Sequence, residues 1–198
     1  TMIMLTKMII RESMKQDSPI KQPRFVMVTD RINLDKQIRD NFIHTQMSPH
    51  RAKTGKGLIE LLQDDGNTVI TALVNKFEAA IKQEYCNDSE NLFLFIDEGH
   101  RTQYGKLNVY MNKVLPNAVK IAFTGTPLIQ KQPKDKNRKI VLAKDTYAKF
   151  GPLIDKYTLQ DAIDDKVTVP IVYEGRIIPQ QVTSQQINAH LKHITVGL

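Results

Sequence analysis

Four stretches of the 198-residue chain are predominantly apolar: Phe25–Thr29, Thr68–Thr71, Leu92–Ile96 and Val119–Thr124, the last with Lys120 inside it. Each is short and rich in β-branched or aromatic residues, and none alternates apolar with polar. Strands buried on both faces of a parallel sheet carry that pattern. Between them the apolar positions recur at helical spacing. Met4, Met8 and Ile9 share a face in the first such stretch, within Met2–Ser13. Leu34, Ile38 and Phe42 do so in the second, and Leu73, Phe77 and Ile81 in the third. Strands alternating with helices predict βαβ units and a doubly wound α/β sheet. Ligands of such a sheet bind beyond the carboxyl ends of its strands.

The pattern changes after Pro127. Gln130–Lys139 is polar and basic and reads as an exposed loop. Tyr157–Asp165 has the spacing of a short helix. Val167–Tyr173 reads as a strand interrupted by Pro170, hence at an edge or between domains. The tail from Gln180 is polar and Gln-rich. These shifts divide the chain into a main domain over residues 1–150 and a connector with an edge strand over residues 151–198.

Composition narrows the class. Hydrophobic residues make up 41% and charged residues 25%, which excludes a collagen-like, coiled-coil or wholly disordered chain. Cys86 is the single cysteine, so a disulfide scaffold is excluded and a reducing, cytoplasmic setting is expected. No apolar run approaches the roughly 20 residues of a spanning helix. Met2, Met4 and Met8 are expected to pack into the core. The 28 Lys+Arg exceed the 21 Asp+Glu by seven, which favours a polyanionic partner, nucleic acid first. Arg51, Lys53 and Lys56 read as one Gly-containing basic loop, and Lys131, Lys134, Lys136, Arg138 and Lys139 as a second cluster.

Candidate chemistry sits where the strands end. Asp97-Glu98-Gly99-His100 follows Leu92–Ile96 directly. Its first carboxylate suits Mg²⁺, which takes one or two carboxylates together with phosphate oxygens. The second suits polarising a water, and His100 suits sensing a phosphate. The plainer alternative is that Asp97 and Glu98 cap the next helix. Thr124-Gly125-Thr126-Pro127 also follows a strand; Gly125 permits a tight turn, and a plain strand-to-loop turn is the alternative. Thr29-Asp30-Arg31 places an arginine at a strand end before a helix, a position suited to a phosphate backbone. The alternative makes Asp30 or Asn33 a helix cap. Thr71, with Lys76 about a turn further on, repeats the arrangement.

In order, these four resemble motifs Ia, Ib, II and III of superfamily 2 helicases and translocases. The closer resemblance is to the motor (R, restriction) subunit of type I restriction–modification enzymes. It is carried by Phe25–Arg31 (FVMVTDR), Asp97–Gly105 (DEGHRTQYG), Ile121–Pro127 (IAFTGTP) and Asp161–Tyr173 (DAIDDKVTVPIVY), and spans most of residues 1–178. The DEGH box departs from the commoner DEAH, but glycine and alanine are both small. The resemblance implies a RecA-like (P-loop NTPase) parallel sheet, ATP and Mg²⁺ as cofactors, and translocation of double-stranded DNA. It implies Asp97 for Mg²⁺, Glu98 to activate water, and His100, Thr124, Gly125 and Thr126 to couple hydrolysis to movement. It implies Thr29, Arg31, Thr71 and Lys76 for DNA contact, and methylation and specificity subunits as partners. Other readings are a different superfamily 2 lobe, a non-catalytic nucleic-acid-binding module and an unrelated basic α/β domain.

One element is missing from the pattern. No G-x-x-x-x-G-K-[ST] string occurs in the chain. Thr54-Gly55-Lys56-Gly57 lacks the spacing, and no apolar strand is legible before it. The expectation is a fragment of a larger motor, incomplete at the N-terminus, beginning just after the P-loop and inactive as an ATPase by itself.

Overall fold

The computed structural model describes residues 1–99, 106–127, 146, 150–170 and 174–175. Phe25, Val26 and Val28 are fully closed to solvent on consecutive or alternate positions, so their strand is covered on both faces. That strand, β1 (Arg24–Thr29), lies at the centre of a five-stranded sheet. Its companions are β2 (His50–Ala52), β3 (Val69–Leu73), β4 (Leu92–Asp97) and β5 (Val119–Phe123). The order is β2-β3-β1-β4-β5 and every pairing is parallel. All five strands therefore end on the same side of the molecule, as the apolar runs predict.

Helices α1 (Met2–Ser13), α2 (Ile32–His44), α3 (Gly55–Gln63), α4 (Lys76–Ile81) and α5 (Lys106–Val114) separate the strands. Two hydrophobic cores divide them. Phe25, Met27, Val69, Phe93 and Phe95 face Ile9 of α1 and Ile38 and Phe42 of α2. Val26, Val28, Ile70, Leu94 and Ile96 face Leu58 and Leu62 of α3, Phe77 of α4 and Met111 of α5. Alternate residues of each strand thus feed opposite cores, the signature of a doubly wound sheet.

Several local expectations are corrected. β3 runs on through Leu73, so the third helix starts later, at Lys76. Residues 50–63 are not a loop: Arg51 lies in β2 and Lys56 in α3. A strand does precede Thr54-Gly55-Lys56-Gly57, because β2 is held by its ladder to β3 (Arg51 opposite Thr71) rather than by an apolar run. The glycines there serve packing. A Cβ on Gly55 would collide with Ala79 of α4, and Thr54 Oγ1 caps α3 by accepting from Gly57 N–H at 2.9 Å. In α1, Met4 and Met8 are 66% and 65% exposed, so neither is core; Met2, Ile3, Leu5, Ile9 and Ile10 form the packed stripe instead.

Arg24 was not singled out by any motif, yet it is 6% exposed and holds the end of α3 in place. Its Nε donates to Asn67 O (3.2 Å), Nη1 to Leu62 O (3.0 Å) and Asp65 Oδ1 (2.8 Å), and Nη2 to Leu61 O (2.9 Å) and Asp64 O (2.8 Å). A helix C-terminus leaves its last carbonyls without intrahelical donors, and one guanidinium serves them here.

Contacts divide the chain into a unit over Thr1–Leu153 and a second over Ile154–Leu198. In the second, α6 (Leu159–Asp164) begins with a capping box, Thr158 Oγ1 accepting from Asp161 N–H at 3.2 Å. None of residues 167–170 is in a strand, and residues 171–173 lie outside the described set, as do the loop at 130–139 and the tail from Gln180.

Candidate active site at the strand ends

The side of the sheet where the strands end is chemically divided. Beyond β4 and β5 it carries carboxylates and hydroxyls, beyond β2 and β3 it carries lysines, and beyond β1 it carries both Asp30 and Arg31. Asp97 is the last residue of β4, level with Phe123 of β5, so Thr124 stands one residue beyond it on the neighbouring strand. Glu98 leaves the strand with φ of +50°, a left-handed conformation that costs a non-glycine residue about 1–3 kcal/mol and that Gln22, Gln46, Glu84 and Lys166 also adopt. This turn directs the Glu98 N–H back onto Asp97 Oδ1, at 3.0 Å. The Asp97 carboxylate is therefore held against the backbone of the turn, and a helix begins directly after it, at Gly99.

Asp97 is half-buried, and its pKa is raised. Burial is the main cause, the Glu98 N–H opposes it, and the charges of Glu98 and Asp30 add to it. Asp30 thus belongs to this corner electrostatically, a role that its place after β1 makes legible only once β1 and β4 are known to be neighbours. A carboxylate pressed by two others and partly out of water favours a cation or a proton. Among the described residues no group of three or more His, Cys, Asp or Glu is arranged as a metal cage. The chemistry available is that of one strand-end carboxylate, which suits a hard ion that keeps waters and phosphate oxygens in its shell.

The raised pKa has a sign that can be tested. The folded state holds the Asp97 proton at a pH where the unfolded chain, near the usual value of about 3.9, has lost it. Ionised Asp97 therefore costs stability, and the cost develops as pH rises from the unfolded value through the folded one. Thermal melts of wild type and Asp97→Asn from about pH 3 to pH 7 are expected to diverge, with the variant gaining as pH rises. A constant offset would contradict this.

Gly99 is buried beneath β5. A Cβ there would stand 2.7 Å from Ala122 Cβ and 3.8 Å from Phe150 Cε2. Small size alone does not make room for alanine in this chain, because Ala122 occupies the volume its Cβ would need. Gly99→Ala is expected to cost about 1–3 kcal/mol by overpacking, read as a lower urea midpoint. The double variant with Ala122→Gly should recover most of it, and no loss in Gly99→Ala alone would refute the clash.

The turn after β5 is closed by hydroxyl chemistry, Thr124 Oγ1 accepting from Thr126 N–H at 3.1 Å. Gly125 is exposed, a Cβ on it would meet nothing within 4 Å, and it has no positive φ. The turn does not need a glycine, so the open space beside it is the feature to explain. His100 lies outside the described residues.

The four residues expected to contact DNA divide. Arg31 is exposed and starts α2 as its N-cap residue, with no side-chain capping bond, so neither Asp30 nor Asn33 serves as the cap. Lys76 is the first residue of α4 and is half-exposed. Thr29 and Thr71 are each 1% exposed, inside the sheet, and do not reach solvent.

A five-stranded parallel sheet with paired carboxylates after one strand and a Thr-Gly-Thr turn after its neighbour defines a RecA-like ATPase lobe of the superfamily 2 type. The SWI2/SNF2 ATPase family model matches residues 1–198, and the chain belongs to that family. It is 30% identical over 188 residues to the putative type I restriction enzyme MjaIXP endonuclease subunit of Methanocaldococcus jannaschii, a match covering 93% of this chain and 17% of that protein. It is 33% identical over 175 residues to the type I restriction enzyme HindI endonuclease subunit of Haemophilus influenzae, covering 78% of this chain and 16% of that protein. A type I restriction endonuclease subunit of Staphylococcus saprophyticus is 26% identical over 81% of the chain. The chain spans about a sixth of the length of these relatives. No helix among the described residues is long and apolar enough to cross a membrane.

Proposed function

We propose that this chain is the first motor lobe of the endonuclease (R) subunit of a type I restriction enzyme. ATP hydrolysis in that lobe drives double-stranded DNA past the complex before a nuclease domain elsewhere on the subunit cuts it. The observation that carries the reading is the strand-end unit Asp97–Glu98, beside the Thr124–Thr126 turn, in a chain related over most of its length to such subunits.

In this reading residues 1–150 are the lobe and residues 151–198 lead towards a second one. Asp97 would hold Mg²⁺, which would supply charge neutralisation for the nucleotide's phosphates at the strand end. Glu98 orients and deprotonates the attacking water. His100, Thr124, Gly125 and Thr126 couple hydrolysis to lobe movement. Arg31 and Lys76 contact the DNA backbone, while Thr29 and Thr71 support that surface from inside the sheet. The partners are the methylation and specificity subunits, and the compartment is the cytoplasm.

The chain has no G-x-x-x-x-G-K-[ST] sequence to cradle the phosphates. The reading places that P-loop, and the second lobe's arginine finger, on other parts of the same polypeptide. An arginine finger alone is worth about 10³–10⁵ in rate in related sites. The 198-residue chain is therefore expected to show no ATPase activity above background in a coupled assay. Appreciable turnover that Glu98→Gln removes would overturn this division of the machinery.

A further inference from the structure

Two arginines in the sheet are tied to an acidic side chain, and they are used differently. Arg24 spends Nε, Nη1 and Nη2 on five acceptors and is closed to solvent. Arg51, in β2, spends only Nε, on Asp35 Oδ2 at 2.7 Å. Among the described residues Nη1 and Nη2 donate no hydrogen bond, and the side chain is 32% exposed. Asp35, in the first turn of α2, is 1% exposed, and neither Oδ1 nor Oδ2 has a hydrogen-bond partner among the described residues, so Arg51 holds it by charge. A buried carboxylate with one cation is costly to the fold unless that cation stays in place. Asp35 is therefore a buried charge that holds Arg51 close on its Nε side, with the partly exposed guanidinium still able to present its Nη fork.

The open fork belongs to the basic half of the strand-end surface. Lys53 is exposed two residues on, and Lys56 is exposed in the first turn of α3. Arg31 is exposed beyond β1. A guanidinium fork matches phosphate oxygens two at a time, and one already held in position loses little rotamer freedom on binding.

We infer that Arg51 is a phosphate-backbone contact for DNA and that Asp35 is the residue positioning it. The inference rests on the DNA reading above and adds two residues to it. Neither is reached by the motif resemblance: Arg51 stands in sequence as one charge of a basic loop, and Asp35 as a helix residue.

The test is binding of a fluorescent duplex of about 30 base pairs to the 198-residue chain by anisotropy, from about 50 to 200 mM salt, with melting curves for each variant. Wild type is expected to bind with a log–log salt slope of several units. Arg51→Gln should weaken binding several-fold and reduce the slope by about 0.9, the contribution of one phosphate contact. Asp35→Asn adds a unit of positive charge to a chain of net +7, so a pure charge effect would tighten binding. Positioning predicts weaker binding with the slope unchanged. Arg51→Lys, which keeps the charge and loses the fork, should bind more weakly at unchanged slope and serves if either other variant fails to fold. Lys15→Gln, at the opposite end of β1, is the control and should change little. An Arg51→Gln slope equal to wild type, tighter binding by Asp35→Asn, or wild-type affinity in Arg51→Lys would overturn the inference while leaving DNA binding intact. Absence of wild-type binding to the duplex would overturn the DNA reading and the inference with it.

Discussion

Arg24→Met is expected to remove about 3–5 kcal/mol of folding stability. Hydrogen bonds from a charged donor contribute about 1.5–3 kcal/mol each, and buried acceptors left without partners cost further, though the five bonds of one guanidinium do not add. Asn67 and Asn87 side-chain donors at 3.4 and 3.3 Å still reach Leu61 O and Leu62 O, which limits the loss. Asp65 is 91% exposed on its side chain and returns to water without penalty. Against a typical total of about 5–15 kcal/mol, the change consumes about a fifth or more of the stability. Urea unfolding followed by circular dichroism reads it as a lowered midpoint. Arg24→Lys, whose single ammonium cannot span the same carbonyls, should fall between. A loss under about 1 kcal/mol in Arg24→Met would show that α3 is held by its apolar face alone.

Glu98→Gln is expected to lower the ATPase rate of the complete motor by about 10²–10⁴, the usual worth of a general base. The amide preserves shape and the backbone turn, so folding should be unaffected. Its neighbour discriminates the roles. Asp97→Asn should also reduce activity, and raising Mg²⁺ should restore part of it, because the ion's site is weakened while the base remains. Raised Mg²⁺ should do nothing for Glu98→Gln. Rescue of Glu98→Gln by Mg²⁺ would exchange the two assignments.

How far the sequence disclosed this architecture depended on what holds each element. β1, β3 and β4 are legible because burial on both faces demands uninterrupted apolar residues; β5, a half-buried edge strand, is legible from Ile121, Ala122 and Phe123. β2 is not legible: His50-Arg51-Ala52 is polar, and its ladder to β3 is a non-local fact. Helical spacing located α2 through Ile38 and Phe42. It misjudged α1, where the exposed face carries Met4 and Met8 and where apolar character did not report burial. The acidic box was visible as a motif because its residues are consecutive. Its strain at Glu98, the pressure of Asp30 on Asp97, and the fit of Gly99 under Ala122 depend on neighbours brought by the fold. The same holds for Arg24 and for the Asp35–Arg51 pair, whose partners lie 37 to 43 and 16 residues away in sequence.

The central claim is that Asp97 and Glu98 form the hydrolytic centre of a DNA-driven motor. The most direct measurement is ATP hydrolysis by the polypeptide that joins this chain to a P-loop and a second lobe, with and without double-stranded DNA. The account predicts hydrolysis that rises with duplex DNA and is lost in Glu98→Gln. Intact duplex binding with no hydrolysis, or hydrolysis indifferent to Glu98→Gln, would contradict it and leave a nucleic-acid-binding module in its place.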